Sequence, residues 1–449
     1  MLSLFYALHF FANQMPEWLS HSRIAEAYQR GNLIASTDYP MTTFGTRSLQ
    51  SLVGQDQFSD CRMLLSVVAP TTRDLRDVIA PRRYGGDGKD HCQRLHDVVF
   101  GIGEPDDLKP LNTRYWHGTR AMMAIGLTIS DVFVLTNGIK VATYFVYGLL
   151  ALVAYSCSKQ LLVVLSPFLL LGFFYSGIPY YGGFAYSLPY LFVLLALLGL
   201  LALVHNRARN LVLGRYFFVV GMISSYLFLL DGHLLMLLPM AVVLLYYGDR
   251  RSSSLSGWVQ ITARCIGMFA VGFVVSVAVN QIGKALLIGP SVFDAFFDQL
   301  AFRMSVPESD YATRLVDAGM AFASPFSFGF REVGVGGNLV FVFVLVGAAL
   351  LSLCVSGLIL ARRWYVEWRI RLPVGVIVVA AAGLIVAARM LFFLQHTNAH
   401  SLFVGRYMFV PMALCWMMLV VVVLALRNNG GADWIGVPRP EARHRIGTK

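Results

Sequence analysis

AYSLPYLFVLLALLGLLALV, residues 185–204, runs its whole length without a charge and stops at His205-Asn206-Arg207-Ala208-Arg209. A bilayer core takes about 20 apolar residues of helix, and backbone amides cannot stay unpaired in lipid. The stretch therefore predicts a membrane-spanning helix, and the basic run behind it predicts a cytoplasmic end. The pattern recurs at 1–13, 132–157, 160–177, 212–230, 234–247, 258–289, 338–361, 373–394 and 407–426. Together these segments predict an all-α polytopic membrane protein with about ten transmembrane helices and a large periplasmic first loop.

Composition agrees. The 449 residues are 57% hydrophobic and only 14% charged, with a mean hydropathy of +0.63, whereas soluble domains carry about 25% charge. A net charge of +11 would suit nucleic acid, but the Lys and Arg residues sit at the ends of apolar segments. That placement fits orientation in a bilayer, with no nucleic-acid partner. Lys159, the 205–209 run, Asp249-Arg250-Arg251, the group Arg362, Arg363, Arg369 and Arg371, and the tail with Arg427, Arg439, Arg443, Arg445 and Lys449 all fall on one side of alternating crossings. That side is read as cytoplasmic, with both termini on it.

The resulting divisions are a partial first transmembrane helix at 1–13, a periplasmic loop with an interfacial helix at 14–131, and transmembrane helices over 132–289. A second periplasmic loop follows at 290–337, then transmembrane helices over 338–426 and a cytoplasmic basic tail at 427–449. The first apolar segment is short of a span, so the first helix is expected to begin upstream of Met1. Residues 117–131, with Met122, Met123, Ile125 and Leu127 among small and polar neighbours, read as a helix lying in the interface. Lys140, Arg215, Arg264, Lys284 and Arg389 fall inside apolar segments, where snorkelling to a nearby end is the expectation. Of the cysteines, Cys61 and Cys92 share the first outer loop, and in an oxidising space a disulfide between them is expected.

The polar clusters gather on the outward side. Gly54-Gln55-Asp56-Gln57-Phe58-Ser59-Asp60-Cys61 holds two carboxylates four apart, which on a helix share one face. Paired carboxylates can serve as base and orienting group. By spacing alone a polar loop or a helix cap is the commoner explanation. Arg114-Tyr115-Trp116-His117-Gly118 combines a phosphate-binding side chain, stacking rings and a proton shuttle, and it also suits an aromatic-belt anchor. Gln395-His396-Thr397-Asn398-Ala399-His400, followed by Arg406, lacks a third zinc ligand close in sequence and fits anion binding better. Asp231 and His233 flank Gly232 in a tight turn that two helices would need anyway, and Asp38 in Thr37-Asp38-Tyr39-Pro40 is similarly open.

This layout resembles the GT-C glycosyltransferases, polytopic enzymes that take sugars from polyprenyl phosphate or pyrophosphate. The clusters at 114–118 and 396–400 with Arg406 are similar to a bacterial group associated with arabinofuranosyl transfer to type IV pilins. The resemblance implies an acidic base in the first outer loop, close behind the first membrane helix. Asp56 and Asp60 lie well beyond that point and Asp38 is nearer, so the base stays open among the three. It further implies Arg114, His400 and Arg406 on the phosphate, with His117 and Asn398 orienting the sugar, and Tyr115, Trp116, Asp231, His233 and His396 completing the substrate site. The implied partners are a polyprenyl-phosphate sugar donor, a periplasmic protein or glycan acceptor, and the bilayer. Such a reaction calls for no redox cofactor, and a divalent metal is optional. A transporter or flippase of a lipid-linked or small solute is the alternative class, and a scaffold without a reaction is the third.

Overall fold

The computed structural model describes residues 1–36, 38–40, 54–70, 74–84, 90–102, 108–110, 116–175, 183–206, 208–227 and 255–304, with single positions at 237, 239–241, 243–244 and 413. It is mostly helical. Among the described residues four helices are long and apolar enough to cross a membrane: Val132–Cys157, Ser187–His205, Asn210–Leu227 and Gln260–Ile288. The expected segments at 338–361, 373–394 and 407–426, the basic tail and most of the second loop lie outside the described residues.

The chain opens with helix α1 (Leu2–Asn13), then α2 (Glu17–Gln29) after the Pro16 turn. Strands β1 (Asp38–Pro40) and β2 (Gly54–Asp56) form one antiparallel ladder. Helices α3 (Phe58–Val67) and α4 (Leu75–Ile79) lead to β3 (Arg82–Tyr84), α5 (His91–Phe100) follows, and β4 (Leu108–Pro110) pairs back with β3. The described residues of 14–131 form an N-terminal unit of helices and short strands whose core is shared with Ala12, Val132 and Phe184, and the two short ladders depart from the all-α expectation. Its boundaries follow local chemistry. Asp90 accepts from the amides of Cys92 and Gln93 at 2.7 and 3.4 Å to start α5. Gly101, at φ 65°, ends α5 in the left-handed conformation a glycine adopts cheaply. Cys61 of α3 and Cys92 of α5 are joined by a disulfide, with Cα atoms 5.0 Å apart.

Helix α6 (Gly118–Leu127) begins at His117. The helix expected to lie in the interface buries one face in protein. Ala121, Met123, Ala124 and Leu127 are buried in the same core as Leu64, Leu65 and Leu95, and Met122 points out. The apolar spacing is that of a helix with a core face, and the side of the helix read as lipid-facing covers α1 and α3.

The remaining helices are α7 (Val132–Cys157), α8 (Lys159–Tyr175, with Pro167 inside), α9 (Phe184–His205), α10 (Asn210–Leu227), α11 (Leu255–Ile288) and α12 (Ser291–Met304), and the four candidate spans fall in α7, α9, α10 and α11. Helix α12 occupies the start of what was read as a loop. A second core runs through these helices, with Leu150, Leu165, Leu194, Leu197, Phe217 and Phe269 at its centre. Helices α10 and α11 touch through reciprocal glycines. A Cβ on Gly221 would overlap the carbonyl oxygen of Phe269, and one on Gly272 would overlap that of Phe218. Small residues at a helix crossing let backbones close up where no water drives association.

Candidate functional site

Asp38 and Asp56, two of the three candidate bases, are register partners across the β1–β2 ladder. Asp60 lies on α3, one element later, so Asp56 and Asp60 do not share a helix face. The ladder ends at Asp56 and α3 starts at Phe58, so the chain changes element between the two carboxylates that spacing alone had grouped. Asp60 has a different task. Its Oδ2 accepts from the amide of Phe184 at 2.9 Å and its Oδ1 from the amide of Ala185 at 2.9 Å. A carboxylate is thereby placed on the positive end of α9, a helix that supplies no side-chain cap of its own. Gly183 permits the approach, since a Cβ there would lie 2.7 Å from the carboxylate. Buried to 4% exposure, Asp60 is an anchor between the N-terminal unit and a membrane helix.

Trp116 is also internal. Its indole donates to both the carbonyl and the hydroxyl of Ser276 on α11, each at 3.1 Å. Phe5, Tyr6, His9 and Tyr226 surround it with centroid distances of 5.5, 4.9, 6.1 and 5.9 Å. A ring enclosed this way is neither a headgroup anchor nor an open platform for a sugar. His117 turns the chain at φ 56°, the one positive φ outside glycine among the described residues. Strained backbone of this kind persists only where the surroundings hold it. Here the turn buries Trp116 on one side and sends Arg120 inward on the other. Gly118 follows because the carbonyl oxygen of Tyr226 would lie 2.6 Å from any Cβ.

Around this tryptophan the structure assembles a group the sequence reading passed over. Arg120 is buried at 2% exposure and donates Nε to the carbonyl of Ser66 at 3.2 Å and Nη1 to the Asn13 amide oxygen at 2.9 Å. Both acceptors are neutral. Among the described residues no carboxylate forms an ion pair with it. Burial pushes its guanidinium down to about 10, so it stays charged at neutral pH, with Tyr226 acting in the opposite sense. Arg120 and Lys284 both lie within electrostatic reach of His9. His9 is itself buried, stacked against Trp116 and edge-on to Tyr226. The Trp116 backbone comes near the His9 ring, but neither ring nitrogen makes a hydrogen bond of good geometry, and the Tyr226 hydroxyl makes none.

Lys284 had been expected to snorkel. It is 1% exposed instead, because it falls on the face of α11 that packs inward, one turn before the helix ends. Arg215 and Arg264 are exposed, as snorkelling side chains are. Two patterns in the sequence carry the group. His9 and Asn13 stand four apart on α1, and Ser276, Asn280 and Lys284 stand at steps of four on α11, all of them buried. Polar residues at helical spacing inside an apolar helix mark one inward face.

Arg114, Tyr115, Asp231, His233, His396, Asn398, His400 and Arg406 lie outside the described residues. No group of three or more metal-ligating side chains occurs among the described residues. No family model, no curated protein and no solved structure matches this chain.

Proposed function

We propose that the chain is a membrane glycosyltransferase that moves a sugar from a polyprenyl-phosphate donor to a periplasmic acceptor. The protein would span the inner membrane with about ten helices. Arabinofuranose and a pilin or surface glycan are the sugar and acceptor that the resemblance favours. One observation carries the reading: Asp38 and Asp56 are directly paired in a ladder, within a unit that Asp60 fastens to the end of a membrane helix. The register puts two acidic positions side by side on one ladder, the arrangement that a base and an orienting acid require. One carboxylate takes the proton of the acceptor hydroxyl, whose oxygen bonds to the anomeric carbon. The bond from that carbon to the phosphate oxygen breaks, and the lipid phosphate leaves with the electron pair. The neighbouring acid tunes the base by its charge.

The test measures glycan transfer in membranes, normalised to inserted protein. Asp38→Asn or Asp56→Asn is expected to lose on the order of 10²–10⁴-fold, and Asp60→Asn far less. Wild-type transfer in both of the first two variants overturns the reading. The buried polar face of Ser276, Asn280 and Lys284 on α11 favours a second reading, transport or flipping of a lipid-linked or small solute. Lipid flipping in vesicles that survives both Asp variants and stops with Lys284→Met would establish it.

A further inference from the structure

We propose that His9, Arg120 and Lys284, walled by Trp116 and Tyr226, form a binding site for a phosphate group. The site deepens the transferase reading by naming where the donor's leaving group sits, but its evidence is separate.

A buried guanidinium held only by neutral oxygens is costly, and buried charges are ordinarily paired. Arg120 satisfies two of its donors on Ser66 and Asn13, which aims and fixes the side chain while leaving its charge uncompensated among the described residues. Lys284 brings a second buried basic group from another helix, close enough to act on the same histidine. An anion here answers the Arg120 charge. The neutral donors point to the same ligand. The His9 ring and the Tyr226 hydroxyl are buried with hydrogen-bonding capacity unused, and a tetrahedral oxyanion offers acceptors in several directions. Planar, bidentate Arg together with a compact ammonium is a pairing suited to phosphate. The aromatic walls supply apolar surface for whatever the phosphate carries. The groups come from α1, α6, α10 and α11, so a ligand here touches the N-terminal unit and the membrane helices at once.

Two sources share this chemistry, a lipid monophosphate and free inorganic phosphate, and the experiment separates them. Full-length protein in nanodiscs is titrated with a short-chain prenyl monophosphate, with the prenol of the same chain, and with inorganic phosphate, and the melting temperature is read. The prenyl phosphate is expected to raise the melting temperature at concentrations at least 100-fold below those at which inorganic phosphate acts, and the prenol to leave it unchanged. A site for free phosphate is the outcome if inorganic phosphate matches the prenyl compound. Arg120→Gln and Lys284→Met should each weaken the response at least tenfold, and Arg120→Lys should recover part of it. Because Arg120→Gln also removes two internal hydrogen bonds, Lys284→Met and the 31P shift of the bound ligand give independent readouts. Stabilisation equal for prenol and prenyl phosphate, or unchanged in a folded Lys284→Met protein, overturns the proposal. Phosphate binding that persists while both Asp38→Asn and Asp56→Asn keep full transfer leaves the site standing and removes only the mechanism. Loss of transfer in those variants without phosphate binding does the reverse.

Discussion

In the N-terminal unit, α4 and α5 start on their own aspartates, Asp74 and Asp90, which accept from amides one turn ahead. Ion pairs are spread over its surface, with Arg30 meeting Glu26 and also Asp131 at 3.4 Å, and a disulfide closes it. The helix bundle is held together differently, although α7 too starts on a local aspartate, Asp131. Its α9 borrows a cap from Asp60, and its closest helix pair is drawn together by two glycines. Water explains the contrast. A unit facing water must satisfy its helix ends and can exploit entropy lost from its unfolded chain. Helices in lipid gain little from apolar burial against each other and rely on close packing.

If the two regions are held by different means, they should fail separately. The largest expected effect is on the N-terminal unit. Cys61→Ser or Cys92→Ser, or a reductant, is expected to cost it about 3–4 kcal/mol in the loop-entropy account. Limited proteolysis and hydrogen exchange over 58–100 should report the loss, with the amides of α10 and α11 unchanged. Equal loss in both regions would show that they unfold together. The converse perturbation is next in size. Gly221→Ala or Gly272→Ala is expected to destabilise the bundle by about 1–3 kcal/mol through overpacking against a backbone that cannot move aside. Unfolding of detergent-solubilised protein in rising dodecyl sulfate measures it, and the disulfide unit should keep its protease resistance.

Asp60 joins the two, so it should be felt in both. Asp60→Ala removes the cap of α9 and is expected to cost about 1 kcal/mol, with faster exchange at Phe184 and Ala185. Asp60→Asn should cost less, because its amide oxygen still accepts one of the two hydrogen bonds. No change in exchange at either amide would sever the proposed link. The smallest effect is one of pH. Burial first, then Arg62 and Arg83, hold the His91 imidazole below its usual value, with Asp90 opposing. The unfolded chain therefore takes up that proton before the folded unit does. Stability from this source is whole above the unfolded value of about 6.5 and declines as the pH falls below it. The proteolysis rate of the unit should rise between pH 7 and pH 5, less so in His91→Gln.

Four spans were legible because a charge-free run such as 185–204 has few alternatives in any environment. Local caps such as Asp90 and Asp131 lie beside the helices they start, but they went unread because an aspartate before a helix looks like any other polar residue. Asp60 could be read only as a possible cap, since its helix lies 124 residues away. The group around Trp116 escaped for a related reason. His9 and Lys284 are each single polar residues in apolar segments, and only tertiary packing brings them beside Arg120. The spacing of His9 with Asn13, and of Ser276, Asn280 and Lys284, was the available signal. It was weak because a lone cation near a helix end is more often a snorkelling one.

The contact between Asp60 and Gly183 also has a consequence for descent. A side chain at 183 would strike the carboxylate, and a larger group at 60 would strike the backbone at 183. Neither position can drift alone, although one sits in the disulfide-bonded unit and the other at the mouth of a membrane helix. Among relatives that keep this architecture, the two positions should change as a pair. A lineage that gains a side chain at 183 is expected to have lost the acid at 60 and to carry a local cap, Ser, Thr, Asp or Asn, at the start of that helix.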